Sequence, residues 1–249
     1  GFNAEEQPQS PLYFKVLASK ALLMEFGRKT YSLDHTDVAR AGALIDFYNF
    51  EKEPSFDKLK IAFIGTISPE NGAHLLINSL AALKNHGINF ECEIAGNISD
   101  ENYLKQLKAF LLNQGLSEKV IFSINKGRQY IREVLARSNT LVCANISEKN
   151  LGIIQVEAMA AGLTVISSAK SPAQDIIDDG VNGLLFNPQD NQTLTAKLFL
   201  LAQNKKMAKA LAKQGQFDAV NEYNLIDSVL KLEEDFKYLK QFSEPMFLK

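Results

Sequence analysis

Lys60-Ile61-Ala62-Phe63-Ile64-Gly65-Thr66-Ile67-Ser68-Pro69-Glu70-Asn71-Gly72 is the stretch on which the fold turns. A buried-strand run ends at a glycine and a turn of Ser, Pro, Asn and Gly follows. A helix-period segment then places Leu75, Leu76, Ser79, Leu80 and Leu83 on one face. The unit repeats downstream. Strands are expected over 90–95, 120–123, 140–144, 164–167 and 183–186, and helices over 102–113, 130–137, 152–161 and 173–178. Strand–helix alternation implies parallel pairing through right-handed crossovers. Strands as apolar as Ile61 to Ile64 suit a sheet covered on both faces. The expected fold is therefore α/β, a doubly wound, Rossmann-like parallel sheet. Ligands of such sheets bind beyond the carboxyl ends of the strands, so the loops after Ile64, Ile94, Phe122, Cys143 and Ile166 come first.

The flanks read differently. Residues 13–18 and 38–45 look like strands, 21–26 like a helix, and 51–57, polar with Pro54, like a linker. From 192 to about 242 the chain reads as helical throughout. Leu194, Leu198, Leu201 and Met207 form one apolar set there, and Leu225, Val229, Leu232, Phe236 and Leu239 a second.

Composition removes several function classes. The 249 residues are 46% hydrophobic, enough for a sizeable core and too many for a disordered chain. Lys plus Arg (27) nearly balance Asp plus Glu (29), and no long basic run occurs, which argues against a nucleic-acid partner. Apolar runs fall far short of a membrane span. Cys92 and Cys143, each inside an apolar run, read as reduced core thiols of a cytosolic protein. The acidic start, Gly1 to Glu6, has no hydrophobic signal core. It opens on Gly without Met, so a piece of a longer protein is expected.

Motif searches narrow the chemistry. Neither a P-loop nor a G-x-G-x-x-G after a strand is present, and His35, His74 and His86 are too scattered for a metal site. No G-x-S-x-G elbow offers a nucleophile. One segment remains: Ser147-Glu148-Lys149-Asn150-Leu151-Gly152-Ile153-Ile154-Gln155-Val156-Glu157-Ala158-Met159-Ala160-Ala161-Gly162. It enters a helix at Gly152, where unpaired N–H groups and the positive dipole end suit a phosphate. Glu157 lies about a turn and a half further in, on an otherwise small and apolar helix. A carboxylate there can accept two hydrogen bonds from a ribose diol. It can equally be a solvated helix glutamate.

This segment resembles the E-x7-E region of the family-4 glycosyltransferases, which have the two-domain GT-B fold. Glu157-Ala158-Met159-Ala160-Ala161-Gly162 is similar to that family's E-A-M-A-A-G. Phe63-Ile64-Gly65 with Pro69-Glu70-Asn71-Gly72 resembles F-V-G-R…P-E-K-G, and Ile94-Ala95-Gly96 resembles V-x-G. Ile176 to Leu185 resembles I-V-x-D-G-x-x-G-L-L, and Gly42-Ala43-Leu44-Ile45-Asp46…Phe50 the N-G-V-D…F that closes the N-terminal domain. The likeness covers nearly all of 38–240.

The resemblance implies a remnant of the acceptor-side domain and linker over 1–55, a donor-binding domain over 56–225, and a crossover helix over 226–249. It implies retaining transfer from a UDP-, GDP- or ADP-sugar, with no metal required, in polysaccharide or lipopolysaccharide biosynthesis. A glycan or lipid-linked acceptor would be met by the missing N-terminal domain. The implied location is the cytoplasm, with the full-length protein associating peripherally with the inner face of the membrane. Glu157 would bind the ribose, Gly152 and Ile153 the phosphates, and the first Glu of the motif the sugar hydroxyls.

The sequence also departs from the pattern. Thr66, after Gly65, stands where the family has Arg, and Asn71 where it has Lys, so both cations expected at the diphosphate are replaced. Losing one transition-state stabiliser of this kind commonly costs about a hundredfold or more. The first Glu position is Lys149 read without a gap, or Glu148 with one residue inserted. Lys149, Lys170 and Arg128 are candidate replacement cations. Each also reads as an ordinary surface residue. Pro172 stands where the family has Gly, and removes an N–H from the sugar side. Two functions follow: a sugar transferase whose isolated chain is inactive, or a degenerate donor-like domain that serves another transferase as a binding subunit. An epimerase on the same fold fits the 157–162 helix less well.

Overall fold

The structure, a computed structural model, describes residues 15–17, 36–38, 43–48, 50, 54–146, 152–170, 172–230, 233 and 237. Two short parallel strands, β1 (Lys15–Leu17) and β2 (Thr36–Val38), come first. A single helical turn, α1 (Ile45–Tyr48), follows. The main body then alternates as β3 (Leu59–Ile64), α2 (Ala73–Asn85), β4 (Phe90–Gly96), α3 (Glu101–Asn113), β5 (Val120–Ile124), α4 (Arg128–Arg137), β6 (Thr140–Cys143), α5 (Ile153–Ala160), β7 (Thr164–Ser168) and β8 (Leu184–Phe186). Helices α6 (Asn191–Gln203) and α7 (Lys205–Glu222) complete it, and 225–230 is helical again.

Six strands pair in parallel in the order β5-β4-β3-β6-β7-β8. This is the doubly wound order, and it reverses between β3 and β6. Helices cover both faces, so the central strands are apolar on both sides: β6 and β7 are buried along their whole length. On one face Leu76, Leu80 and Leu83 of α2 meet Leu104 and Leu107 of α3 and Leu194 and Leu198 of α6. On the other, Ile45 and Tyr48 pack with Val134 and Leu135 of α4 and Val156 and Met159 of α5. Cys92 and Cys143 are free, buried thiols, and burial pushes Cys143 up to about 12. Among the described residues no helix is long and apolar enough to cross a membrane.

Three expected elements change. The strand expected over 38–45 ends at Val38, and a helix starts at Ile45. Between them Ala43 makes one bridge, its N–H donating to Tyr223 O (2.9 Å) and its carbonyl accepting from Leu225 N (3.0 Å). Ile45 and Tyr48 are both buried, and the helical turn is what carries them to the same core. The helix expected from 192 onward breaks at Asn204, whose side chain accepts from Met207 N–H and so caps α7. It breaks again at Tyr223, whose carbonyl is taken by Ala43. The helix expected over 173–178 is a short 3-10 turn, Pro172–Asp175. The helix expected over 21–26 lies outside the described residues.

Candidate functional site

The reversal of strand order opens the sheet between the carboxyl ends of β3 and β6, and the described residues expected at the site lie on the segments that follow β3, β6 and β7 and at the start of α4. Gly65 ends β3, and its N–H donates to Ala95 O (3.0 Å). Gly96 is required beside it, because a Cβ there would lie 1.8 Å from Gly65 O. Thr66 is exposed. Asn71 turns inward on its own loop, its side-chain amide donating to Thr66 O at 2.7 Å. Neither position brings positive charge to the corner. Across the gap, Ile146 N–H donates to Glu70 O (2.8 Å) and ties the loop after β6 to the turn before α2.

Helix α5 enters this rim through Gly152, which adopts a left-handed φ of 76° and lies so close to Ile176 that a Cβ would meet its Cδ1 at 2.3 Å. Gly152 carries no side chain to cap the helix, and Ile153 opens it with its side chain partly exposed. Lys170, after β7, is exposed, and its backbone N–H donates to Ser168 Oγ (3.3 Å). Glu148 and Lys149 lie outside the described residues. Among the described residues no group of His, Cys, Asp or Glu is arranged to hold a metal ion.

Glu157 is the fifth residue of α5, and it is buried, which removes the reading of a solvated helix glutamate. Its Oε1 accepts from Arg128 Nη2 at 2.9 Å. Arg128, first residue of α4, also donates from Nε to Tyr48 Oη at 3.2 Å, and its guanidinium carbon lies 5.9 Å from the Tyr48 ring centre. The Glu157 side chain is 9% exposed and that of Arg128 58%, so the guanidinium is on the solvent side of the pair. Burial pushes the Glu157 carboxyl above its usual range, and the charge and hydrogen bond of Arg128 with the Tyr48 hydroxyl offset only part of it. Burial and the nearby carboxylate likewise raise the Tyr48 phenol.

Tyr48 is the member that sequence reasoning missed. It sits in the segment read as the close of an upstream domain, and nothing local marks it. Its placement comes from tertiary contacts. Arg132 Nε donates to Phe47 O (2.6 Å), and the Arg132 guanidinium lies over Phe50 (4.8 Å), which pins α1 onto α4. Gln155, also on α5, is fully buried with Nε2 only 3.4 Å from Ser167 Oγ and Oε1 without a partner among the described residues.

Glu157 thus lies on the helix that starts at the strand-order reversal, and doubly wound sheets take their ligands beyond the carboxyl ends of the strands at that reversal. The family model for glycosyl transferases group 1 matches residues 46–217, and the chain belongs to this family. It is 27% identical over 154 residues to the uncharacterized glycosyltransferase MJ1178 of Methanocaldococcus jannaschii, covering 62% of this chain and 41% of that protein. It is 27% identical over 175 residues to the amylovoran biosynthesis glycosyltransferase AmsK of Erwinia amylovora, covering 68% and 42%. The chain thus spans about two fifths of the length of these relatives. In fold it matches Anabaena HepE, solved in complex with UDP, with a TM-score of 0.81 at 20% identity over 90% of this chain and 64% of that one.

Proposed function

We propose that this chain is the donor-side part of a retaining sugar transferase of the GT-B kind, and that it binds a nucleotide sugar at the rim between β3 and β6. The observation that carries the reading is Glu157. It is a buried carboxylate on the helix entering that rim, and a carboxylate offers about four acceptor positions, of which Arg128 and Tyr48 take only part. The remainder suits the vicinal hydroxyls of a ribose. The backbone of Gly152 and Ile153, at the start of α5, would meet the phosphates at the positive end of the helix dipole. Gly65, Thr66 and Asn71 border the diphosphate, with Arg128 and Lys170 as cations. The sugar–phosphate bond breaks with the nucleoside diphosphate leaving, and these residues stabilise the departing charge without a metal. The UDP bound to HepE supports a nucleotide-sugar donor, read as a UDP-, GDP- or ADP-sugar, and the amylovoran biosynthesis named for AmsK supports a biosynthetic transfer, read as one that builds a polysaccharide or lipopolysaccharide. The donor domain would span 56–225, with 1–55 a remnant of the acceptor-side domain and linker and 226–249 a crossover helix; the missing N-terminal domain would meet the glycan or lipid-linked acceptor.

A thermal-shift panel of UDP-, GDP- and ADP-sugars tests this. One donor at a hundred times its Kd should stabilise the protein by about 2.7 kcal/mol. Glu157→Gln should remove most of that shift. Silence from every donor overturns the reading.

One observation favours a second reading, a degenerate donor-like domain serving another transferase. Both corner positions lack a cation, and Asn71 spends its amide on the Thr66 carbonyl. Under that reading, the double variant Thr66→Arg, Asn71→Lys gains a nucleotide affinity that the native chain lacks. A native chain that binds as tightly as the double variant excludes it.

A further inference from the structure

The rim lacks charge at Thr66 and Asn71, yet a guanidinium from the start of α4 lies against Glu157 and Tyr48. The ends of β3, β4 and β5 are stitched together. Gly65 N–H donates to Ala95 O (3.0 Å), and Asn125 N–H donates to Gly96 O (3.1 Å). Asn125 has a φ of 54°, the one non-glycine residue with positive φ among those described. That reversal starts α4 at the rim and makes Arg128 its first residue. Its side chain then reaches back to Glu157 and Tyr48. An ion pair with one partner 58% exposed is weak, whereas an Arg fork on a phosphate is short and strong. A ligand diol approaching Glu157 from solvent meets this guanidinium first.

We propose that Arg128 is a two-position cation. Without ligand it rests on Glu157 and Tyr48 and masks the carboxylate. When a nucleoside diphosphate enters, the ribose hydroxyls replace it on Glu157, and the guanidinium turns outward onto the diphosphate. It thereby supplies the charge that Thr66 and Asn71 do not. Tyr48 is a positioning residue that holds the resting state. The proposal rests on the reading of this rim as a nucleotide-sugar site.

Titration calorimetry of the 249-residue chain separates the two halves of the exchange. The probes are UDP with uridine, GDP with guanosine and ADP with adenosine, at about pH 8 so that Glu157 is ionised. For the pair that the native protein binds, Arg128→Gln should weaken the diphosphate about tenfold or more and tighten the nucleoside severalfold. Arg128→Lys should keep the diphosphate within about threefold, as a point charge still reaches it. Tyr48→Phe should tighten the nucleoside and leave the diphosphate no weaker. Equal weakening of nucleoside and diphosphate by Arg128→Gln overturns the proposal, because Arg128 would then only support Glu157. So does no change in either. A native protein that binds none of the three pairs overturns the site reading beneath it, whereas loss of binding in Glu157→Gln with an unmoved Arg128→Gln leaves the site and removes the exchange.

Discussion

Two carboxylates in this molecule are built alike and behave in opposite ways. Glu93 on β4 and Glu157 on α5 are each paired with an arginine and a tyrosine, and their side chains are 11% and 9% exposed. Glu93 accepts from Ser123 Oγ (2.6 Å), Tyr130 Oη (2.9 Å) and both Nε and Nη2 of Arg137 (3.0 and 2.8 Å). Burial opposes its charge, but the hydrogen bonds of Ser123, Arg137 and Tyr130 with the Arg137 charge hold its carboxyl below the usual range. Among the described residues Glu157 has fewer donors, and burial holds it above that range. Glu93 is thus a saturated staple joining β4, β5 and α4. Glu157 keeps acceptor capacity in hand, and a buried carboxylate left short of donors is a place for a ligand to supply them.

The comparison breaks most visibly through stability. Glu93→Ala should cost about 2–3 kcal/mol in urea unfolding with an unchanged slope, since it removes the acceptor of the buried Ser123 hydroxyl, the half-buried Tyr130 hydroxyl and Arg137, and leaves the two hydroxyls only each other. The half-exposed Arg137 re-enters water and keeps the loss below that of a fully buried pair. Glu157→Gln in the ligand-free protein should shift stability by less than about 1 kcal/mol, because it trades a weak pair for relief of a desolvated charge. Equal losses at the two sites would erase the distinction.

Acidity sharpens it with a smaller effect of opposite sign. The folded Glu93 value is depressed, so its contribution is present above the ordinary Glu value of about 4.3 and is lost as the pH falls through the folded value. The folded Glu157 value is raised, so its ionised form costs stability at neutral pH. Acidification through that raised value towards about 4.3 removes the cost. Unfolding midpoints followed from neutral pH downward should show the native protein gaining on Glu157→Gln first. The loss that Glu93→Gln abolishes should come later. A single common acid limb in both variants would contradict the assignment.

Local pattern carried most of the sheet. Period-2 and period-3.6 runs with glycine at the turns are set by neighbours along the chain, and β3 to β8 with α2 to α5 lie within a residue or two of the expected bounds. One error came where a distant partner decided, Ala43 being drawn off by Tyr223 and Leu225; another came from a local cap that the apolar repeat hid, Asn204 accepting from Met207 N–H and starting a new helix. The site was half legible. Glu157 could be chosen because an acidic residue interrupts a small, apolar helix, and Gly152 because a strand-to-helix turn needs its conformation.

Sequence alone determined that this chain makes a parallel, doubly wound sheet with an acidic residue near its ligand edge, because residue spacing dictates which side chains share a face. Only the tertiary structure decided that Glu157 is buried, that Arg128 crosses from α4 to meet it, and that Tyr48 completes the cluster. These three residues lie on elements far apart in the chain, and their meeting depends on how α1, α4 and α5 pack together, which no local period encodes.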